Sequence, residues 1–205
     1  MTDGNTDTRT VNAAYEVKRD TGGPFLFSSS GLLVWGKAQG ELTTDRLAIE
    51  GRIARKLSER TSLFAQTQYL RDSFKAIDYL VSPTVGVKRI LFKNVRTELG
   101  VDAAVGIVWE QNPGAELQTD GAVTSSQQLA HKLTATTDVR EKASALWKMD
   151  DFGDALYTFT TGMAAAVTTA TQIKVEFLDS YKTRPPVDIQ KNDIALLVSF
   201  VYKFD

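Results

Sequence analysis

The sequence predicts an all-β protein, an antiparallel up-and-down β-barrel that spans a membrane. Three observations carry this. Apolar residues recur at every second position in about eleven segments from end to end, and helical periodicity is scarce. Most segments run to about ten residues, the length of a tilted membrane-crossing strand rather than the five or six of a typical globular one. Large aromatics gather at one end of the segments, and ionisable residues occupy the opposite parity.

Taken in order, "VNAAYEV" sets Val11, Ala13, Tyr15 and Val17 against Asn12, Glu16 and Lys18. The next segment, "GLLVW", is apolar on both faces and specifies its orientation poorly. "DRLAIEGRIARKL" opposes Leu47, Ile49, Ile53 and Leu57 to Glu50, Arg52 and Lys56, and "YLVSPTVGV" follows with a similar pattern. In "TELGVDAAVGIVWE", Leu99, Val101, Ala103, Val105, Ile107 and Trp109 alternate with Glu98, Gly100, Asp102, Ala104 and Gly106. "QLAHKLTATTDV", "YTFTTGMAAAV", "TQIKVEF" and "IALLVSFVYKF" complete the series.

The connections alternate too. "TRPPVDIQKND", "QNPGAELQTDGAVTSS" and "KAQGELTTD" are long or polar, whereas "VTTATQ", "REKAS" and "FKNV" are short. Tight turns on one side and larger loops on the other mark outer-membrane barrels. With the C-terminus periplasmic, eleven strands leave the polar start on the outer side, yet single-chain bacterial barrels have even strand numbers. The complete protein is therefore expected to have twelve strands. On that reading residues 1–205 form a single barrel domain, the first strand and signal peptide are missing, and Met1 begins a mature or truncated chain.

Lys plus Arg number 24 and Asp plus Glu 25, for a net charge of -1. With no basic run, nucleic acid is not an expected partner. No cysteine is present, so there is neither a disulfide framework nor a thiolate metal site. No run approaches the roughly 18 apolar residues of a membrane-spanning helix.

Orientation decides which residues matter. If the apolar face meets lipid, Trp35, Tyr69, Tyr79, Trp109, Trp147, Tyr157 and Tyr181 form an aromatic girdle at the outer ends of the strands. The lumen then holds Glu50, Arg52, Glu98, Asp102, Lys132, Asp138, Lys174 and Glu176, joined by Glu16, Lys18, Arg46, Asp78, Lys88 and Lys203. These charges either line a narrow diffusion pore or lock into salt bridges that close it. Phe200, Tyr202 and Phe204 alternate at the end of the last strand as a signal to the barrel assembly machinery does. Asp179 and Arg55 share the apolar parity and run against the pattern, unless they sit at an interface. A soluble barrel or sandwich binding protein with its apolar face inward gives the same alternation, but explains neither strand length nor aromatic placement.

Catalytic chemistry finds little support. His131 is the sole histidine and is expected as an ordinary interfacial residue near a strand's outer end. A barrel acyl hydrolase would need a serine two positions further on, where Leu133 stands. "DDFGD" is a turn without the other parts of a kinase. "TDGNTDT" spaces Asp3, Asn5 and Asp7 like a calcium loop but lacks the downstream Gly and bidentate Glu. The expectation is a non-enzymatic protein without cofactor or metal, its partners membrane lipid and the assembly machinery and its location the bacterial outer membrane.

"GNTDTRTVNAAYEV", "LSERTSLFAQTQYLRDSFKAIDY", "DDFGD" and "LVSFVYKF" resemble the YdiY-like family of salt-induced outer-membrane proteins, a domain of unknown function. The likeness covers essentially the whole chain. It implies a barrel in the outer membrane; the expected role is either a small diffusion channel or an envelope structural or stress-response component. It carries over no active residue.

Overall fold

The computed structural model describes residues 8–169 and 171–204, with the side chains of residues 8–10, 43 and 202–204 outside the description. Asp3, Asn5 and Asp7 therefore lie outside the described residues, as does the side chain of Lys203. Alternation becomes eleven strands: β1 (Thr8–Asp20), β2 (Phe25–Ala38), β3 (Glu41–Lys56), β4 (Thr61–Asp72), β5 (Ile77–Lys93), β6 (Thr97–Gln111), β7 (Gln118–Lys132), β8 (Thr137–Lys148), β9 (Ala155–Ala166), β10 (Thr171–Lys182) and β11 (Asn192–Phe204). They follow chain order around one closed barrel. Each pairs antiparallel with the next, and β1 meets β11 in parallel, Ala14 opposite Val201 and Val17 opposite Phe204. An odd number of strands in an up-and-down ring forces one parallel joint. The described residues thus close the ring with eleven strands, where twelve are expected of the complete protein, through this parallel seam.

Outward and inward parity are as the alternation requires. On β6, Val105 and Ile107 are 50% and 44% exposed, while Asp102 is 7% exposed and points inward. On β2, where the sequence is ambiguous, Val34 is buried inward and Phe25 and Phe27 face out.

Several connections differ from expectation. "KAQGELTTD" is no long loop: Gln39 and Gly40 both take positive φ, 54° and 83°, and join β2 to β3 in two residues. That conformation matches the twist of a tight hairpin, so both strands run on. "REKAS" lies within β8, and "QLAHKLTATTDV" is broken by a turn after Lys132. The turn after Lys132 uses a local device that recurs at four inner turns, the other three of which fall within "LSERTS", "FKNV" and "VTTATQ" as expected. Ser58 accepts hydrogen bonds from the N–H groups of Arg60 and Thr61, Asn94 from Arg96 and Thr97, and Thr134 from Thr136 and Thr137. Thr168 accepts from Thr171. A polar side chain that mimics a backbone acceptor holds such turns without glycine. Much of "QNPGAELQTDGAVTSS" likewise belongs to β7.

At the outer end of β4 the register slips between Leu70 and Asp72, so Arg71 faces two residues of β5. This bulge shifts the phase by one. Ile77 takes the inward place and Asp78 is exposed at the rim, contrary to its expected lumen position. A β-carbon built on inward-facing Gly106 would collide with the Pro83 carbonyl oxygen and the Thr84 Cα, so β6 approaches β5 more closely than any side chain permits. Gly106→Val is expected to destabilise the barrel by about 1–3 kcal/mol, read as a lower urea midpoint for loss of the compact gel form.

Candidate functional site: the lumen

The interior is built in three layers. The inner half is ionic. Arg140 pairs with Glu16 at 2.9 Å and Asp138 at 2.5 Å, and Lys174 pairs with Glu176 at 2.7 Å. Arg52 donates to Gln66 at 2.6 Å and to Asp102 at 3.1 Å while its guanidinium lies 3.9 Å above the Phe64 ring. Lys142 reaches Glu50 at 3.0 Å, and Gln68 donates to the same carboxylate.

Above it lies an apolar collar. Leu70, Ile77, Leu80, Val108, Ala122 and Leu146 pack together with Ala48 and Leu156, and Val34, Leu178 and Leu197 pack with Leu32 and Ala195. Every strand from β2 to β11 contributes; Val108 and Ala122 at the centre are 0% exposed, whereas Leu32, Ala48, Leu156 and Ala195 are only partly buried. On β1 the residue opposite Val34 is the polar Asn12, whose Oδ1 is buried without a hydrogen-bond partner among the described residues.

The outer layer is ionic again but deeply buried. Glu110 binds Lys182 and lies 3.0 Å from Lys148, which also pairs with Asp154 at 2.8 Å and Asp120 at 3.7 Å. Arg46 pairs with Asp72 at 2.7 Å. The same Asp72 side chain accepts from the N–H groups of Phe74 and Lys75 and caps the single turn Ser73–Lys75. That turn aims Lys75 across the mouth to the Gln190 and Lys191 carbonyls, at 3.1 and 2.7 Å, and to Asp193 at 2.8 Å. Beginning between β4 and β5 and ending at β11 on the far wall, it ties the longest outer loop down over the opening. Lys75→Met removes the tie, and residues 183–191 are expected to become several-fold more sensitive to trypsin. Quantifying cleavage at Lys191, the one residue of this loop after which trypsin can cut because Arg184 precedes a proline, checks this.

Of the sequence-derived lumen residues, Glu50, Arg52, Asp102, Asp138, Lys174 and Glu176 join the inner ionic layer. Glu98 pairs with Lys93 near the inner rim at 3.1 Å, and Lys132 is exposed at the same end. The aromatics all face outward at the outer end. Trp147 Nε1 donates to the Tyr157 hydroxyl at 3.0 Å, and the Tyr157 and Tyr181 rings lie 6.3 Å apart. Trp35 carries Lys37 above its ring. Tyr69, Trp109 and Tyr79 stand on neighbouring strands, since Tyr69 and Trp109 both oppose Val81 and Tyr79 opposes Gln111. Phe200 is 71% exposed and outward; the side chains of Tyr202 and Phe204 are outside the description. His131 lies at the inner end of β7, not the outer, because the Thr134 turn falls directly after it. Its Nδ1 is 2.8 Å from the Thr97 hydroxyl of β6.

The collar, Lys75 and the Glu110 cluster escaped the sequence reading. Their signal is a local failure of alternation next to the aromatics: Tyr69-Leu70, Leu80-Val81, Val108-Trp109, Leu146-Trp147, Leu156-Tyr157 and Phe177-Leu178 are all apolar pairs. Among the described residues no group of His, Cys, Asp and Glu could hold a metal ion, and no helix is long and apolar enough to cross a membrane.

Outward apolar parity, inward charge and closed topology define a porin-like β-barrel. The fold matches a solved structure described as the NanC porin in a rhombohedral crystal form, with a TM-score of 0.54 and 11% identity over 93% of this chain and 98% of that one. The chain belongs to the DUF481 family of proteins of unknown function, whose model matches residues 1–204. No curated protein matches it.

Proposed function

We propose that the protein is a non-enzymatic integral barrel of the bacterial outer membrane whose lumen is sealed, acting as an envelope component rather than a diffusion channel. The observation that carries this reading is the collar contributed by ten strands, roofed by the Lys75 tie and the Glu110 cluster. Water and small ions cross an apolar constriction only if it can wet, and a layer whose centre at Val108 and Ala122 is fully buried resists wetting. The wet inner half is then a vestibule open toward the periplasm.

Membrane residence is supported by the outward charges. On β3 the outward residues between Asp45 and Arg55 carry no charge, and about ten residues at ~3.3 Å each, tilted by ~40°, span about 25 Å of apolar band. The Trp147, Tyr157 and Tyr181 group supports an outer interface at the Asp45 level. Phe200, Tyr202 and Phe204 serve as the assembly signal in this reading, and likeness to the YdiY-like proteins supports induction under osmotic stress.

Purified protein inserted in planar bilayers is expected to be electrically silent while an unboiled sample migrates as a compact band. Reproducible single-channel steps from the wild type would favour the pore instead.

A further inference from the structure

We propose that the outer wall of β1–β6 carries a seat for one anionic glycerophospholipid of the periplasmic leaflet, an inference that rests on the membrane reading above. The wall is not smooth there. Val17, Ser29, Gly51, Thr67 and Pro83 lie in one hydrogen-bonded row, all facing out. Being small or flat, Ser29, Gly51, Thr67 and Pro83 leave a groove of about 700 Å³, walled by Phe27, Ile53, Val85 and Val105 and ending at Ile107. A second hollow of about 480 Å³ shares Ile53, Ala65 and Val85 with it and has Arg55 on its lining.

The groove has the dimensions of a leaflet. From β1 to β6 there are five inter-strand steps of about 4.8 Å, or about 24 Å. Slope comes from three outward arginines. Arg19 opposes Phe27, which opposes Ile53; Arg55 lies two residues further along β3; Arg89 opposes Thr61, two further again by the register of Lys56 with Ser62. A stagger of one residue per strand is a tilt of about 35° if the arginines are level. At that tilt the groove climbs about 14 Å, close to half of a ~30 Å hydrocarbon core. Its low end, at Val17 and Phe27, adjoins Arg19.

Charge selects the occupant. Arg19, Arg55 and Arg89 are exposed, and none makes an ion pair among the described residues. A phosphate between Arg19 and Arg55 would receive charge-assisted hydrogen bonds at the depth where headgroups lie. Above it the floor presents no unpaired hydroxyl at Ser29, whose Oγ donates to the Glu50 carbonyl at 3.1 Å and contacts the Tyr15 hydroxyl at 3.1 Å. The groove thus accepts an acyl chain and the arginines its headgroup. A second copy of the chain in the groove would bring its own arginines against these at the same depth, which like charge opposes.

Native mass spectrometry of protein extracted from vesicles of equal phosphatidylglycerol and phosphatidylcholine tests this. Wild type is expected to retain phosphatidylglycerol over phosphatidylcholine by about fivefold or more. The double variant Arg19→Gln, Arg55→Gln should fall to near parity while still holding lipid. Gly51→Phe should lose both lipids, because a β-carbon at Gly51 meets nothing within 4 Å and the ring fills the groove without disturbing the wall; Gly51→Leu provides a smaller plug with the same sign. Equal retention of the two lipids by wild type, or unchanged retention in both Gly51 variants, overturns the seat and leaves the barrel reading intact. Failure of wild type to enter vesicles overturns both. Dimers held by these strands in place of lipid also overturn the proposal.

Discussion

Glu110→Leu is expected to lower the free energy of unfolding by about 3–5 kcal/mol, the cost of stranding buried charge. Glu110 is 2% exposed and is the shared partner of Lys148 and Lys182, themselves 6% and 3% exposed. Lys148 keeps Asp120 and Asp154, but no other ion pair of Lys182 is found among the described residues. An ammonium held away from water without an anion is unfavourable by several kcal/mol. Adding Lys182→Met should therefore restore much of the loss, since a buried pair replaced by apolar groups of similar size is often neutral. Urea titration of vesicle-inserted protein, read by tryptophan fluorescence, checks both. A double variant no more stable than the single one would show that the salt bridge itself, rather than the orphaned cation, carries the stability.

The second large effect concerns conduction. Leu80, Val108 and Leu146 lie on β5, β6 and β8 in one packed cluster of the collar. Changing all three to serine removes much of the apolar volume from one side of the constriction and supplies hydroxyls that water can bridge. The charged layers above and below would then hydrate toward each other. Single-channel steps are expected from this variant and not from wild type, with wall hydrogen bonds preserving the compact unboiled band. Silence from a folded triple variant would mean that the roof of Lys75 and Glu110 blocks by itself.

The legible part of the architecture was whatever a period of two can encode. Val105 and Ile107 against Asp102 set the orientation of β6, and the girdle aromatics follow from the same parity. Residues such as Val108 and Leu178 were not legible as a collar, because an apolar side chain on the inward parity looks like a lapse in a single strand. It becomes a layer only when the closed barrel brings the lapses of neighbouring strands into contact. The turn after β7 was misplaced for a different reason: Thr134 acts through its hydroxyl rather than through glycine or proline, which are the usual punctuation of a chain. The Asp78 error came from one extra residue on β5 opposite Arg71, a bulge invisible to alternation.

The four hydroxyl- or amide-held inner turns also bear on how such a ring assembles. Each lets a neighbouring pair of strands find its alignment from contacts close in sequence, so most of the wall needs little search. Only the joint of β1 with β11 must bring distant ends together, and the entropy lost in closing that long circuit falls on a single final event. Cylinder closure, not hairpin formation, is therefore the expected rate-limiting step of folding.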